Sequence, residues 1–207
     1  MEQGQLEAQP SIHHSFQRFS SEYGNLSSNK KALSLLQNDY GLNMNIVLFC
    51  LWMAYTGRGA LTKKQVQALV GATHFWHEQI VMRLHQLANY SLKKPSAPWS
   101  QTVYQAVMVE EQVAAQIEQS LLTEVFPDLE PKSRGLQQRL IQSCKNLGLY
   151  TQEMQVFLDD RDCQSLQHIL ANVFPKLDDA AIHLQCNRFI RKKGKAGRGK
   201  KQLHLTL

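Results

Sequence analysis

The stretch Leu42-Asn-Met-Asn-Ile46-Val-Leu-Phe-Cys-Leu-Trp-Met-Ala-Tyr55 decides the fold. Its unbroken apolar block, Ile46 to Tyr55, is half the length of about twenty residues that a membrane-spanning helix needs. The block is apolar all round rather than along one stripe, which marks a helix buried on nearly every side. Asn43 stands where an N-cap is required, Leu42 and Val47 hold the two positions of a hydrophobic staple, and Gly57 and Gly59 supply a stop. A helix of this kind must be wrapped by other helices, so the stretch predicts an all-α chain built around it.

The flanks agree. Phe16, Phe19 and Tyr23 recur at helical spacing and predict a short amphipathic helix ending at Gly24. Ser28 is the expected cap of a second, with Leu33, Leu36 and Tyr40 inward and Gly41 as its stop. Downstream, Thr62 with Gln65 forms a capping box and Leu61 with Val66 a staple, predicting a helix to Val70 that Gly71 ends. Thr73 opens a longer one, with Phe75, Trp76, Ile80, Val81, Leu84, Leu87 and Ala88 on one face, broken near Leu92 by the Lys93–Pro98 segment. The longest pattern runs from Ser100 to Val125 and ends at Pro127 and Pro131. Four shorter helices follow: Ser133 to Leu147, stopped by Gly148; Thr151 to Leu158; Cys163 to Phe174; and Asp178 to about Arg191. Strand signals are nearly absent. Val125-Phe-Pro127 and Val173-Phe-Pro175 sit in similar surroundings, read as two helix ends closed by Phe-Pro rather than as a repeat. The expected organisation is a flexible start over 1–10, a multi-helix orthogonal or bundle-like domain over 11–126, a smaller helical extension over 131–190, and a disordered basic tail over 191–207.

Several of these strings resemble a known pattern. Phe16-Gln-Arg-Phe-Ser20, Leu36-Gln-Asn-Asp-Tyr-Gly-Leu-Asn-Met-Asn45, Leu48-Phe-Cys-Leu-Trp52, Gly57, Trp76 and Val109-Glu-Glu-Gln-Val-Ala-Ala-Gln-Ile-Glu-Gln119 are similar to the bacterial family called domain of unknown function 2390. The resemblance covers about Phe16 to Val125 and implies an all-helical, soluble bacterial domain without assigned catalytic residues. The family pattern carries a Pro-Leu-Arg step and further arginines after the tryptophan. This chain has Arg83-Leu84-His85, then Ala88 and Asn89, so an anion-binding role for those arginines does not carry over.

Charge is segregated. Eight of the 23 Lys and Arg residues lie between Asn187 and Leu207, where there is no acidic residue: Arg188, Arg191, Lys192, Lys193, Lys195, Arg198, Lys200 and Lys201. Elsewhere the basic residues are slightly outnumbered by 17 acidic ones, so the net +6 belongs to the tail. Interspersed Gly194, Gly197 and Gly199 keep such a segment flexible. A cationic arm on a near-neutral body points to phosphate, and to nucleic acid before lipid, because only Leu203, Leu205 and Leu207 offer apolar anchorage. The polar start, Met1 to Pro10, lacks the features of a signal peptide. Four widely spaced cysteines form no Cys-x-x-Cys, so a reducing, cytoplasmic setting without disulfides is expected.

Catalytic motifs are scarce. His74, His77, Glu78 and His85 are the nearest approach to a metal site, but His-Phe-Trp-His-Glu has neither the i, i+4 histidines nor the intervening base of a zincin. No metal or cofactor is expected. No Gly-x-Ser-x-Gly elbow exists, Cys50 lies in apolar surroundings that suppress its thiolate, and Gly57-Arg-Gly59 lacks the length and lysine of a phosphate loop. Asp159, Asp160 and Asp162 read as helix capping. His13, His14, His168 and His183 receive no role. The leading expectation is a non-enzymatic, cytoplasmic binding or adaptor protein whose body meets a protein partner and whose tail docks on nucleic acid, ribosomal RNA included. The alternative is an enzyme or small-ligand binder with a pocket lined by Trp52, Tyr55, Trp76, His77 and His85.

Overall fold

A computed structural model describes residues 11–190; all the elements in it are helical. α1 (Ile12–Gly24) is capped by Ser11, and α2 (Ser27–Tyr40) closes on Gly41 in the left-handed conformation, as a residue without Cβ permits. α3 (Met44–Tyr55) is the central helix, with every residue from Asn45 to Ala54 buried. Asn43 caps it, its side-chain oxygen accepting from the amides of Asn45 and Ile46.

α4 (Lys63–Trp76) starts at the expected Thr62/Gln65 capping box. It passes without a break into a π-helical turn, His77–Val81, and on into α5 (Met82–Leu92). Gly71 therefore does not end a helix. Thr73, expected as the next cap, instead returns its hydroxyl to the carbonyl of Leu69 from a buried position inside α4. α5 and α6 (Ser100–Glu124) form a helical hairpin, with Tyr90 stacked on Trp99 at its turn.

α7 (Leu136–Glu153), α8 (Asp160–Val173) and α9 (Asp179–Phe189) complete the chain. Gly148 lies within α7 rather than at its end: a Cβ there would sit 2.2 Å from the carbonyl oxygen of Phe189, so the glycine is an approach point for α9. α8 and α9 begin at Asp159 and Asp178, whose carboxylates accept the amides of Asp162 and Ala181.

α1, α2, α6 and α7 all pack against α3, α8 packs on α2, and α9 lies across α7 and α8. One hydrophobic cluster runs from Phe16 and Phe49 through Leu140 and Tyr150 to Phe174 and Ile190. The 57–59 turn joins the two halves: Gly57, at φ +82°, takes the amide of Lys132 on its carbonyl, and a Cβ there would meet the Lys132 oxygen at 2.3 Å. Arg139 donates to the carbonyl of Tyr55, placing a cation at the negative end of α3.

Candidate functional site

A buried carboxylate lies where α3, α6 and the π-turn meet. Glu118 of α6 has no exposed surface. Its Oε1 accepts from Asn43 Nδ2 at 2.7 Å and lies 3.1 Å from His77 Nδ1, while Oε2 accepts from Asn45 Nδ2 at 2.6 Å. The π-turn begins at His77, and with five-residue hydrogen bonding it re-aims the side chains that follow. Tyr150 of α7 accepts the backbone amide of Asn43 on its hydroxyl, linking the second half of the chain to the cluster. Burial pushes the Tyr150 phenol well above the usual tyrosine range. The buried Nε2 of His77 has no hydrogen-bond partner among the described residues. Solvent does not reach the carboxylate, so this cluster is an internal brace.

The network surfaces on one side. Gln119 donates to Asn45 Oδ1 and to Ser20 Oγ, and these three residues help line a groove of about 880 Å³ between α1, α2, the start of α3 and α6. Gln37 is also on its wall, donating to the sulfur of Met82. Arg18 and Lys30 line the same groove, along with Glu111, which faces His85. Lys30 continues into a shallower depression with Lys31 and Arg161. The result is a polar trough with amides below and cations at its edge. Such a surface suits an anionic ligand bearing hydroxyl or amino donors. Ser20, Gln37 and Gln119 fall within the strings that resemble the family yet have no role assignable from sequence, because polar residues inside amphipathic helices carry no signal of their own. Only tertiary packing brings them together.

The five side chains proposed from sequence as a pocket are spread over the molecule. Trp52 is fully buried, packed on Phe16 and Phe49 with Arg58 over its ring, and its indole donates to Ser15. Tyr55 meets the rings of Phe19, Tyr23 and Phe174 in tilted and edge-on contacts. Trp76 donates to the carbonyl of Ala114 and borders an apolar groove against α6, while His77 turns inward to Glu118. His85 bridges Glu111 and Asn38 beside the polar trough. Of the basic segment, Arg188 lies in the last turn of α9 with its guanidinium over Phe189; Arg191, Lys192, Lys193, Lys195, Arg198, Lys200 and Lys201 are outside the described residues. Among the described residues no group of three or more His, Cys, Asp or Glu side chains is arranged to hold a metal. No helix among them is long and apolar enough to cross a membrane.

Fold and cluster define an all-helical domain whose brace and trough lie mostly within α1 to α6. The model of the family described as "Protein of unknown function (DUF2390)" matches residues 18–122, about half the chain, and the protein belongs to that family. No curated protein and no solved structure matches it.

Proposed function

We propose that this is a non-enzymatic binding or adaptor protein of the bacterial cytoplasm, with a basic C-terminal segment that docks on nucleic acid, ribosomal RNA being one such target. The observation that carries the reading is charge segregation: eight cations and no acid after Asn187, against a slightly acidic remainder. Arg18, Lys30, Lys31 and Arg161 add cationic surface on the body that lies along the trough and the depression beside it. Phosphate contacts supply affinity and position, and the body's side chains supply what selectivity there is.

The test compares the full chain with one ending at Ile190, titrated against RNA and DNA at several salt concentrations. Ending earlier would remove Phe189 and Ile190, which pack on the core, and would confuse unfolding with lost affinity. Eight phosphate contacts on a single strand give a slope of log affinity against log salt of about −6. Equal binding by both chains, or no binding by the full chain at low salt, would overturn the reading.

A second reading has its own observation, the amide-floored trough, which favours a small anionic ligand held by Arg18 and Lys30 over Ser20, Asn45 and Gln119. A thermal-shift screen of anionic metabolites tests it: saturation at about 100 times the dissociation constant stabilises by about 2.7 kcal/mol. Arg18→Gln should abolish any shift found.

A further inference from the structure

The α5–α6 hairpin leaves apolar surface uncovered. Thirteen large hydrophobic residues are exposed among the described residues, and eight of them, from Leu87 to Ile117, lie on this hairpin. Scattered exposed apolar residues mean little, whereas a contiguous set marks a contact surface. The inward face of α6 carries Val107, Ala114, Glu118 and Leu122. On the outward face Val109, Val113 and Ile117 are 61%, 46% and 41% exposed, one helical turn apart. Beside this stripe the α4–π–α5 helix sets Trp76, Ile80 and Leu84, which with Val113 and Ile117 line a groove of about 380 Å³, and Val109 extends the exposed stripe one turn further along α6.

We infer that this groove is the interface with a second copy of the same chain, joined about a two-fold axis through Val113. The stripe reads the same in both directions: Val109 stands four residues before Val113 and Ile117 four residues after. An antiparallel α6 from the second copy sets Val113 against its own counterpart and Val109 against Ile117, as an isologous interface requires. The charges have the same property. Arg83 and Glu110 both line the groove and neither has an ion-pair partner among the described residues. A two-fold axis brings Arg83 of one copy toward Glu110 of the other, and does so twice. A surface that carries both signs and a palindromic apolar stripe is complementary to itself. This inference does not rest on the nucleic-acid reading.

The test is sedimentation equilibrium of the full chain, freed of nucleic acid, from about 1 to 100 µM, the range in which a micromolar dimer dissociates. The expected result is a mass twice that of the chain. Val113→Glu is expected to give the single-chain mass with unchanged circular dichroism, since the position is solvent-facing in one copy. Arg83→Glu and Glu110→Arg should each weaken association at least tenfold, and the double variant should restore it. A single-chain mass at the highest concentration would overturn the inference, as would a dimer that survives Val113→Glu. Charge variants without rescue would remove the proposed register. Capture of a different protein by a chain that never dimerises would assign the groove to that partner instead and refute the proposal.

Discussion

Replacing Glu118 by Ala removes the common acceptor of three donors in a place water does not reach. Asn43 Nδ2 and His77 Nδ1 then lose their hydrogen bonds, while Asn45 Nδ2 retains the carbonyl of Ala115 at 3.3 Å. Two stranded donors at about 1–3 kcal/mol each, with a further term for the vacated volume, set the gross cost. Against this stands the relief of no longer burying a carboxylate, which is worth several kcal/mol by itself. The stranded donors and the vacated volume outweigh that relief, and a loss of about 3–4 kcal/mol is expected here. Glu118→Gln keeps the volume and one acceptor. With its oxygen toward Asn43 and His77, its amide opposes Asn45, which already has a second acceptor, so about 1–2 kcal/mol is lost. In a chain of this size each kcal/mol moves the melting temperature by about 2–4 °C, giving about 6–16 °C for Ala and 2–8 °C for Gln. Urea unfolding followed by circular dichroism, with calorimetry beside it, measures both. An Ala variant within 1 kcal/mol of the parent, or a Gln variant at least as unstable as Ala, would refute the reading of Glu118 as a shared acceptor (1 kcal/mol being about one hydrogen bond).

Two glycines that look alike in sequence should respond oppositely to alanine. Gly71→Ala has open space around the new Cβ and should stabilise α4 by about 0.5–1 kcal/mol, whereas Gly148→Ala meets the Phe189 carbonyl and should cost about 1–3 kcal/mol, with faster proteolysis near α9; equal effects in urea melts would contradict the packing. Burial first, with hydrogen bonds to neighbours second for Tyr23 and Tyr40, raises the phenols of Tyr23, Tyr40 and Tyr150. The fold therefore favours their neutral forms, and the stability they contribute is present below about pH 10 and lost as pH climbs toward the folded values. Their phenolate absorbance should appear only with loss of helical dichroism, and its completion before any unfolding would exclude the buried placement. A fragment ending at Glu130 should fail to give a cooperative melt, because without α7 the Asn43 amide loses Tyr150 and α3 loses a packing face; a sharp transition with native helicity would show that the first six helices fold alone.

The sequence patterns that succeeded were those in which one residue type has one local use. Asn43, Thr62 with Gln65, Asp178 and Gly41 were readable because caps and left-handed stops depend on the neighbouring backbone alone. Gly71 and Gly148 misled for the converse reason. A glycine also serves inside a helix, and at position 148 the cause of its small size is the chain at Phe189, 41 residues away. Ser28 was expected to cap α2, but the helix begins at Ser27 with Leu26 at the cap and no side-chain bond there. The strings behind the family resemblance include much of what the structure joins, among them Asn43, Asn45, Glu118 and Gln119, yet nothing in their spacing says that the four form one network. The aromatic and histidine residues were conspicuous by type, and most of them serve the core instead.

The buried polar groups answer a problem that the deciding stretch itself creates. A helix as uniformly apolar as α3 gains about the same burial energy at any rotation about its axis, since no stripe distinguishes one face from another. Hydrophobicity alone therefore places α3 in the centre without orienting it. Hydrogen bonds are directional, and they lie at both ends. At the first, Asn43 and Asn45 are held by Glu118, and the Asn43 amide by Tyr150. At the second, Asn146 of α7 donates to the carbonyls of Cys50 and Gly59 and accepts the amide of Leu61. A one-residue slip turns α3 by about 100°, takes the Asn43 and Asn45 amides away from their carboxylate, and strands that carboxylate where water does not reach. That penalty separates the native rotation from its neighbours where apolar contact cannot. It also explains why α7, beyond the family match at residue 122, is tied to the helix at the centre of the matched segment: Tyr150 and Asn146 complete an arrangement that α1 to α6 leave unfinished.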